Sequence, residues 1–203
     1  MKETKIMKVF ENYVKKFDMN KGNVKAMYFH SIKMMELCKS IASNLGVFTE
    51  EEIIKALYVA SGIGAVISFR ACIAGAAGGC QAEIGSASAM AAGALVALRG
   101  GDARQIGHAV AMTLKNLMGL ICDPVAGLGE VPCVKRNVIG AMNAVSAADM
   151  ALAGIESRVA VDEVIDAMGD VGRRMPVEFR ETALGGLAVT PTGQAVKRRM
   201  AEQ

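Results

Sequence analysis

One stretch of twelve residues, Cys122-Asp123-Pro124-Val125-Ala126-Gly127-Leu128-Gly129-Glu130-Val131-Pro132-Cys133, constrains this chain more than any other. Two prolines and two glycines break any helix there, so both thiols are expected on irregular backbone. A third cysteine, Cys80, stands in a second glycine-rich stretch, Gly78-Gly79-Cys80-Gln81-Ala82-Glu83. Irregular backbone can curl around a bound object, and thiolates are the ligands that soft iron and zinc choose. Three cysteines of this kind suggest a metal centre with one position left open for a substrate.

The surrounding sequence reads as helical. Apolar residues make up 52% of the 203, aromatic residues only 4%, and there is no Trp, so Ala, Gly and Met carry the hydrophobicity. That mix suits helices packed closely through small residues; a β-sandwich draws on β-branched and aromatic side chains. Helices are predicted over Met1–Phe17 and Ile32–Leu45, the second closed by Gly46. Thr49-Glu50-Glu51-Glu52 is a capping box opening a helix that runs through Phe69. Ala71–Cys80 is a glycine-rich turn, Glu83–Leu98 a buried Ala-rich helix, and Asp102 caps a helix to Leu117. Beyond the cysteine segment, helices are predicted over Lys135–Leu152 and over Asp162–Val171, with Asp162 as cap and Gly172 as stop. A last helix runs from Thr190-Pro191 to Met200, Pro191 suiting a first helical position. No run alternates as a strand does. The expected fold class is all-α: a compact bundle of Ala/Gly-rich helices with an irregular cysteine-bearing loop.

Charge divides the chain near residue 48. Residues 1–48 hold nine Lys and four acidic residues, a balance of +5; residues 49–203 hold four Lys, ten Arg and sixteen acids, a balance of −2. Phe10, Tyr13, Phe17, Tyr28, Phe29 and Phe48 all precede the shift. The expected organisation is a divergent Lys-rich segment, 1–48, before a domain over 49–203. The net charge of +3 comes with no basic face interleaved with aromatics, so nucleic acid is not an expected partner. The longest apolar stretches, Ala56–Phe69 and Ser86–Leu98, fall short of the roughly 18 residues of a membrane span. Cys38, Cys72, Cys80, Cys122 and Cys133 make an odd count, and Met1 opens a polar stretch rather than a signal peptide. A reducing cytoplasm with metal-binding or catalytic thiols is therefore expected rather than disulfides.

The wording of the segments is more specific than their spacing. CDPVAGLGEVPC, GCQAEIGSASAMAA, DMALAGI and ETALGGLAVTPTG, in that family's order along the chain, resemble the α chain or α domain of bacterial iron–sulfur L-serine dehydratases. The likeness runs from about Thr49 to about Val196, and Met34–Gly46 fits a further family helix. The resemblance implies that Cys80, Cys122 and Cys133 hold a [4Fe–4S] cluster. It implies that the open iron acts as a Lewis acid while L-serine loses water and ammonia to give pyruvate. It also implies a serine dehydratase β chain as partner, in which a histidine lies near the site. Two family segments, an Asn-Ala…Met-Gly stretch and a Pro-Thr-Ala-Gly-Ser stretch, have no counterpart here, so a separate N-terminal α fragment is a further expected partner. The chain is therefore read as an enzyme chain, an L-serine ammonia-lyase inactive without its partner. The alternative is a truncated, non-catalytic module that keeps the cluster or only the fold.

Other residues carry weaker signals. Cys72 and Cys38 are read as packing or surface thiols, not ligands. Asp123, Glu130, Lys135, Arg136 and Asn137 crowd the cysteine segment. They are either ordinary loop solvation with a helix start, or Arg136 or Lys135 offsets cluster or substrate charge while Asn137 donates hydrogen bonds. Gln81 and Glu83 flank Cys80, and Gly129 departs from the family wording. His108 is read as a satisfied helical histidine, and His30 carries little. Gly185–Gly193 lacks the Gly-Lys-Ser/Thr ending of a phosphate loop, and the resemblance places it near the site instead. No residue is singled out as the catalytic base.

Overall fold

The computed structural model describes residues 48–202, together with Asn12, Lys15, Lys16, Asp18 and Asn20. The helices predicted over Met1–Phe17 and Ile32–Leu45, with Cys38 and His30, lie outside the described residues. The chain divides into two compact units, Met1–Ile54 and Lys55–Gln203, and the thiols belong to the second.

Seven α-helices carry the described residues: α1 (Glu50–Arg70), α2 (Gly75–Gly78), α3 (Cys80–Leu98), α4 (Ala103–Leu117), α5 (Cys133–Leu152), α6 (Val161–Arg174) and α7 (Pro191–Ala201). Pairing among them is limited to one isolated parallel bridge, Cys122 with Arg180. The fold is all-α, as the sequence predicts. Two predicted caps form, and Thr190 adds a third. Thr49 N–H donates to Glu52 Oε2 at 2.7 Å while Glu52 N–H donates back to Thr49 Oγ1. Asp102 accepts from Gln105 N–H at 2.8 Å and Gln105 Oε1 accepts from Asp102 N–H at 3.0 Å. Thr190 Oγ1 accepts from Gly193 N–H ahead of Pro191.

Helix α3 is the axis of the fold. Its residues are buried almost all round, and most are Ala, Gly or Ser. Small side chains let neighbouring helices close on it. Ala89 joins Ile67 of α1, Leu114 of α4 and Met168 of α6 in one core; Ala92 and Val96 join Ala109 of α4 and Ala144, Ala147 and Ala148 of α5 in another. Ser88 Oγ donates to Gly140 O across α3 and α5 at 2.5 Å. This contact is close because a Cβ at Gly140 would lie 2.8 Å from Ile84.

Several boundaries differ from the sequence reading. Helix α6 begins at Val161 with Ala160 at its N-cap, so Asp162 lies in the first turn rather than capping it. Asp162 there pairs with Arg70, which also forms a two-pronged ion pair with Asp166, and this ties the end of α1 to α6. Gly172 does not stop α6, which runs on to Arg174. It is a packing glycine: a Cβ there would sit 3.1 Å from Gly78 Cα. Helix α1 reaches 21 residues and is, by length and composition, long and apolar enough to cross a bilayer. In the fold its Ile67 is fully buried against α3, α4 and α6.

Candidate metal centre

Three segments bring Cys80, Cys122 and Cys133 together. Cys80 is the first residue of α3, and Gly79 before it holds a φ of +75°. A side chain at Gly79 would collide with Met175 Sδ and Leu120 O, so only glycine lets the chain turn into α3 here. Gln81, 1% exposed, fixes the turn from behind: Nε2 donates to Met168 O, and Oε1 accepts from Gly119 N–H at 2.8 Å. Gln81 N–H also donates to Leu120 O at 2.8 Å, which sets the loop carrying Cys122 against the start of α3.

Cys122 sits on irregular backbone, as expected. Its N–H donates to Phe179 O at 2.8 Å and its carbonyl accepts from Glu181 N–H at 2.9 Å. Cys133 departs from the expectation: it is the first residue of α5. Pro132 does not break the helix because it stands at the N-cap, where no N–H is needed, and its carbonyl accepts from Lys135 N–H and Arg136 N–H. Two long helices thus begin at the thiols, placing the positive ends of their dipoles beside groups that ligate as anions.

The three Sγ atoms lie within 4.8 Å of one another, with Cys80 and Cys133 at 4.0 Å. Cys80 and Cys122 are buried, and Cys133 is half-buried. Burial pushes the Cys122 thiol far above its ordinary value near 9.0, and neighbouring Cys80 and Cys133 add to this. Burial also raises Cys133, while Arg136 pulls the other way. Cys72 stands apart; its Sγ packs on Gly78, where a Cβ would lie 2.6 Å away.

Arg136 brings a positive charge to the group. Its Nη1 donates to Asp123 Oδ1 at 2.9 Å and Ile121 O at 2.8 Å, and lies 3.7 Å from Cys80 Sγ. Asp123, 2% exposed, uses its other oxygen to accept from Leu187 N–H at 2.8 Å. That bond requires Gly186, whose φ is +58° and whose missing Cβ would fall 2.3 Å from Asp123 Oδ2. The Gly185–Gly193 stretch therefore closes over the cysteine loop rather than forming a separate site. Lys135 and Glu130 are exposed, and Asn137 donates to Cys133 O within its own helix. His108 accepts from Ser157 N–H at Nδ1, but its buried Nε2 has no partner.

Two carboxylates complete the surroundings. A Cβ built on Gly75 would lie 2.8 Å from Glu83 Oε2, 3.4 Å from Glu181 Oε2 and 3.5 Å from Cys122 Sγ. Glu83 was visible as a neighbour of Cys80. Glu181 was not singled out; its signal was its place at the head of the ETALGGLAV segment.

The family described as "Serine dehydratase alpha chain" matches residues 34–188. The chain belongs to this family. The match reaches back to Met34, so the charge boundary near residue 48 falls inside it. A protein of Bacillus subtilis named "Probable L-serine dehydratase, alpha chain" is 59% identical over 152 residues, covering 75% of this chain and 51% of that one. A Latilactobacillus sakei protein of the same name is 58% identical over 147 residues, covering 72% and 70%. The Peptoniphilus asaccharolyticus "L-serine dehydratase, alpha chain" is 57% identical over 137 residues, covering 68% and 47%. The chain thus spans about half the length of the Bacillus and Peptoniphilus relatives.

Proposed function

We propose that this chain is the cluster-bearing part of an iron–sulfur L-serine ammonia-lyase, with Cys80, Cys122 and Cys133 as the ligands of a [4Fe–4S] cluster. The observation that carries the reading is the convergence of three thiols from separate segments in a chain of the serine dehydratase α-chain family. Among the described residues no fourth His, Cys, Asp or Glu joins the group. A cubane usually takes four cysteines, so three leave one iron for another ligand. One tetrahedral ion with bonds of about 2.3 Å spaces its sulfurs by about 3.8 Å. A cubane held by the same three thiols would call for them to stand wider than their present 4.0 Å.

When bound, such a cluster supplies a Lewis-acidic iron. The chain supplies the setting. The thiols give up their protons on binding. Arg136, fixed by Asp123, places a positive charge against Cys80 and offsets part of the negative charge of the thiolates. Burial of Cys80 and Cys122 keeps water from that side. A reducing compartment such as the cytoplasm keeps the thiols free.

Orientation of a substrate needs more than ligands, and correct positioning alone is worth roughly 7–11 kcal/mol of barrier. The chain spans about half the length of its Bacillus relative, and α5 leaves Val134, Val138, Met142 and Val145 exposed along one face. Both support further chains at this surface: a serine dehydratase β chain and a separate α segment. Pyruvate release from L-serine is the test. The isolated chain is expected to show little turnover. Adding a β chain and the unmatched part of the Bacillus α chain restores it, and Cys122→Ser abolishes the restored activity. A full cluster and a detectable complex without pyruvate contradict the enzyme reading and leave the non-catalytic module.

A further inference from the structure

A cleft of about 390 Å³ lies between α1 and α3, a size within the usual range for small-molecule sites. Ser61 and Ser68 of α1 line one wall, and Glu83, Ser86 and Met90 of α3 the other. Ser86 is 2% exposed and its hydroxyl has no hydrogen-bond partner. A buried hydroxyl left unpaired on the wall of a cavity marks a place where a polar ligand recovers a bond.

Glu83 joins this cleft to the thiols. Its Oε2 and that of Glu181 crowd the one point above Gly75 that also faces Cys122 Sγ. Neither carboxylate has a hydrogen bond or ion pair among the described residues, whereas Asp123 is taken up by Arg136 and Leu187 N–H. Two unpaired carboxylates that face one point can share a cation placed between them. An amino acid at neutral pH carries one: its α-ammonium has three N–H donors, enough for both carboxylates and one hydroxyl.

We propose that Glu83 and Glu181 form the ammonium-binding end of the substrate site, with Ser86 in the cleft wall beside it, and so select α-amino acids over hydroxy acids without nitrogen. This rests on the cluster reading above, because the substrate's oxygens then lie toward the thiol side and its nitrogen toward Gly75. The Cys122 side and the carboxylate pair adjoin, as one small zwitterion requires.

The test compares L-serine with 3-hydroxypropanoate, which keeps the carboxylate and the β-hydroxyl but lacks the ammonium. Binding is read from the change in the cluster's visible and paramagnetic spectra in the full chain assembled with its proposed partners. The wild type is expected to prefer L-serine at least tenfold. Glu83→Gln with Glu181→Gln keeps shape and iron content but loses that preference, binding both ligands alike. Both side chains are exposed, so the fold tolerates the change, and circular dichroism checks it. A retained preference in the variant overturns the proposal, as does a cluster-loaded wild type that does not distinguish the two ligands or binds neither. A wild type that takes up no cluster overturns the reading beneath it, and the proposal with it.

Discussion

At the scale of single residues, the site depends on a few atoms that cannot be exchanged. Cys80→Ser, Cys122→Ser and Cys133→Ser should each lose most bound iron and sulfide, because a hydroxyl is a poor ligand for soft iron. Cys72→Ala should retain both, since its sulfur packs on Gly78 outside the group. Iron retained by Cys80→Ser but lost by Cys72→Ala would reverse the assignment. The thiols also link stability to pH. Burial raises Cys122 and Cys133 above the ordinary value near 9.0, so the folded, metal-free chain favours their protonated forms. That contribution is complete below about pH 9, the ordinary thiol value, and is lost as pH rises above it. Urea midpoints of metal-free protein should therefore fall as pH rises above about 9, and Cys122→Ser should flatten that fall. A midpoint that rises over this range contradicts the account.

At the scale of elements, the contacts are set by residues too small to be seen as a pattern. The caps at Thr49 and Asp102 were legible because a side-chain oxygen followed three residues later by a Glu or Gln partner is a local code. Gly172 was not. Glycine reads locally as a stop, yet here it sits inside α6 because the backbone of α2 passes against it. No local signal distinguishes the two uses. Cys133 was misplaced for a related reason: proline breaks a helix in its interior and suits one at its start, and only the packing of α5 on α3 shows which applies. Gly172→Leu should force α6 from α2 and the Gln81 side chain, at a cost of roughly 1–3 kcal/mol in denaturant unfolding. An unchanged midpoint shows that the contact is loose. Gly186→Ala should act on the site rather than the bundle, since its methyl meets Asp123 Oδ2. Iron content should drop more sharply than the unfolding midpoint.

At the scale of the whole molecule, the all-α class and the three thiols were readable from composition and segment wording. The assembly around the thiols was not. That Asp123 joins the cysteine loop, α5 and the Gly186 turn depends on contacts between residues 64 positions apart. Glu181 reaches Gly75 only because the segment after α6 folds back along Cys122. Helix α5 shows the same limit. It is apolar on the face toward α3, where Gly140, Ala144 and Ala147 are buried, and also on the face through Val138 and Met142, each 64% exposed. That second, exposed apolar face is where the proposed partner chains would dock. The central claim is that the three thiols hold a cluster, and metal analysis of anaerobically prepared protein tests it most directly. The account predicts about four iron and four sulfide per chain with broad visible absorption, as a single cubane requires. One tightly bound zinc without sulfide, which thiols 4.0 Å apart would accept with little movement, would contradict it.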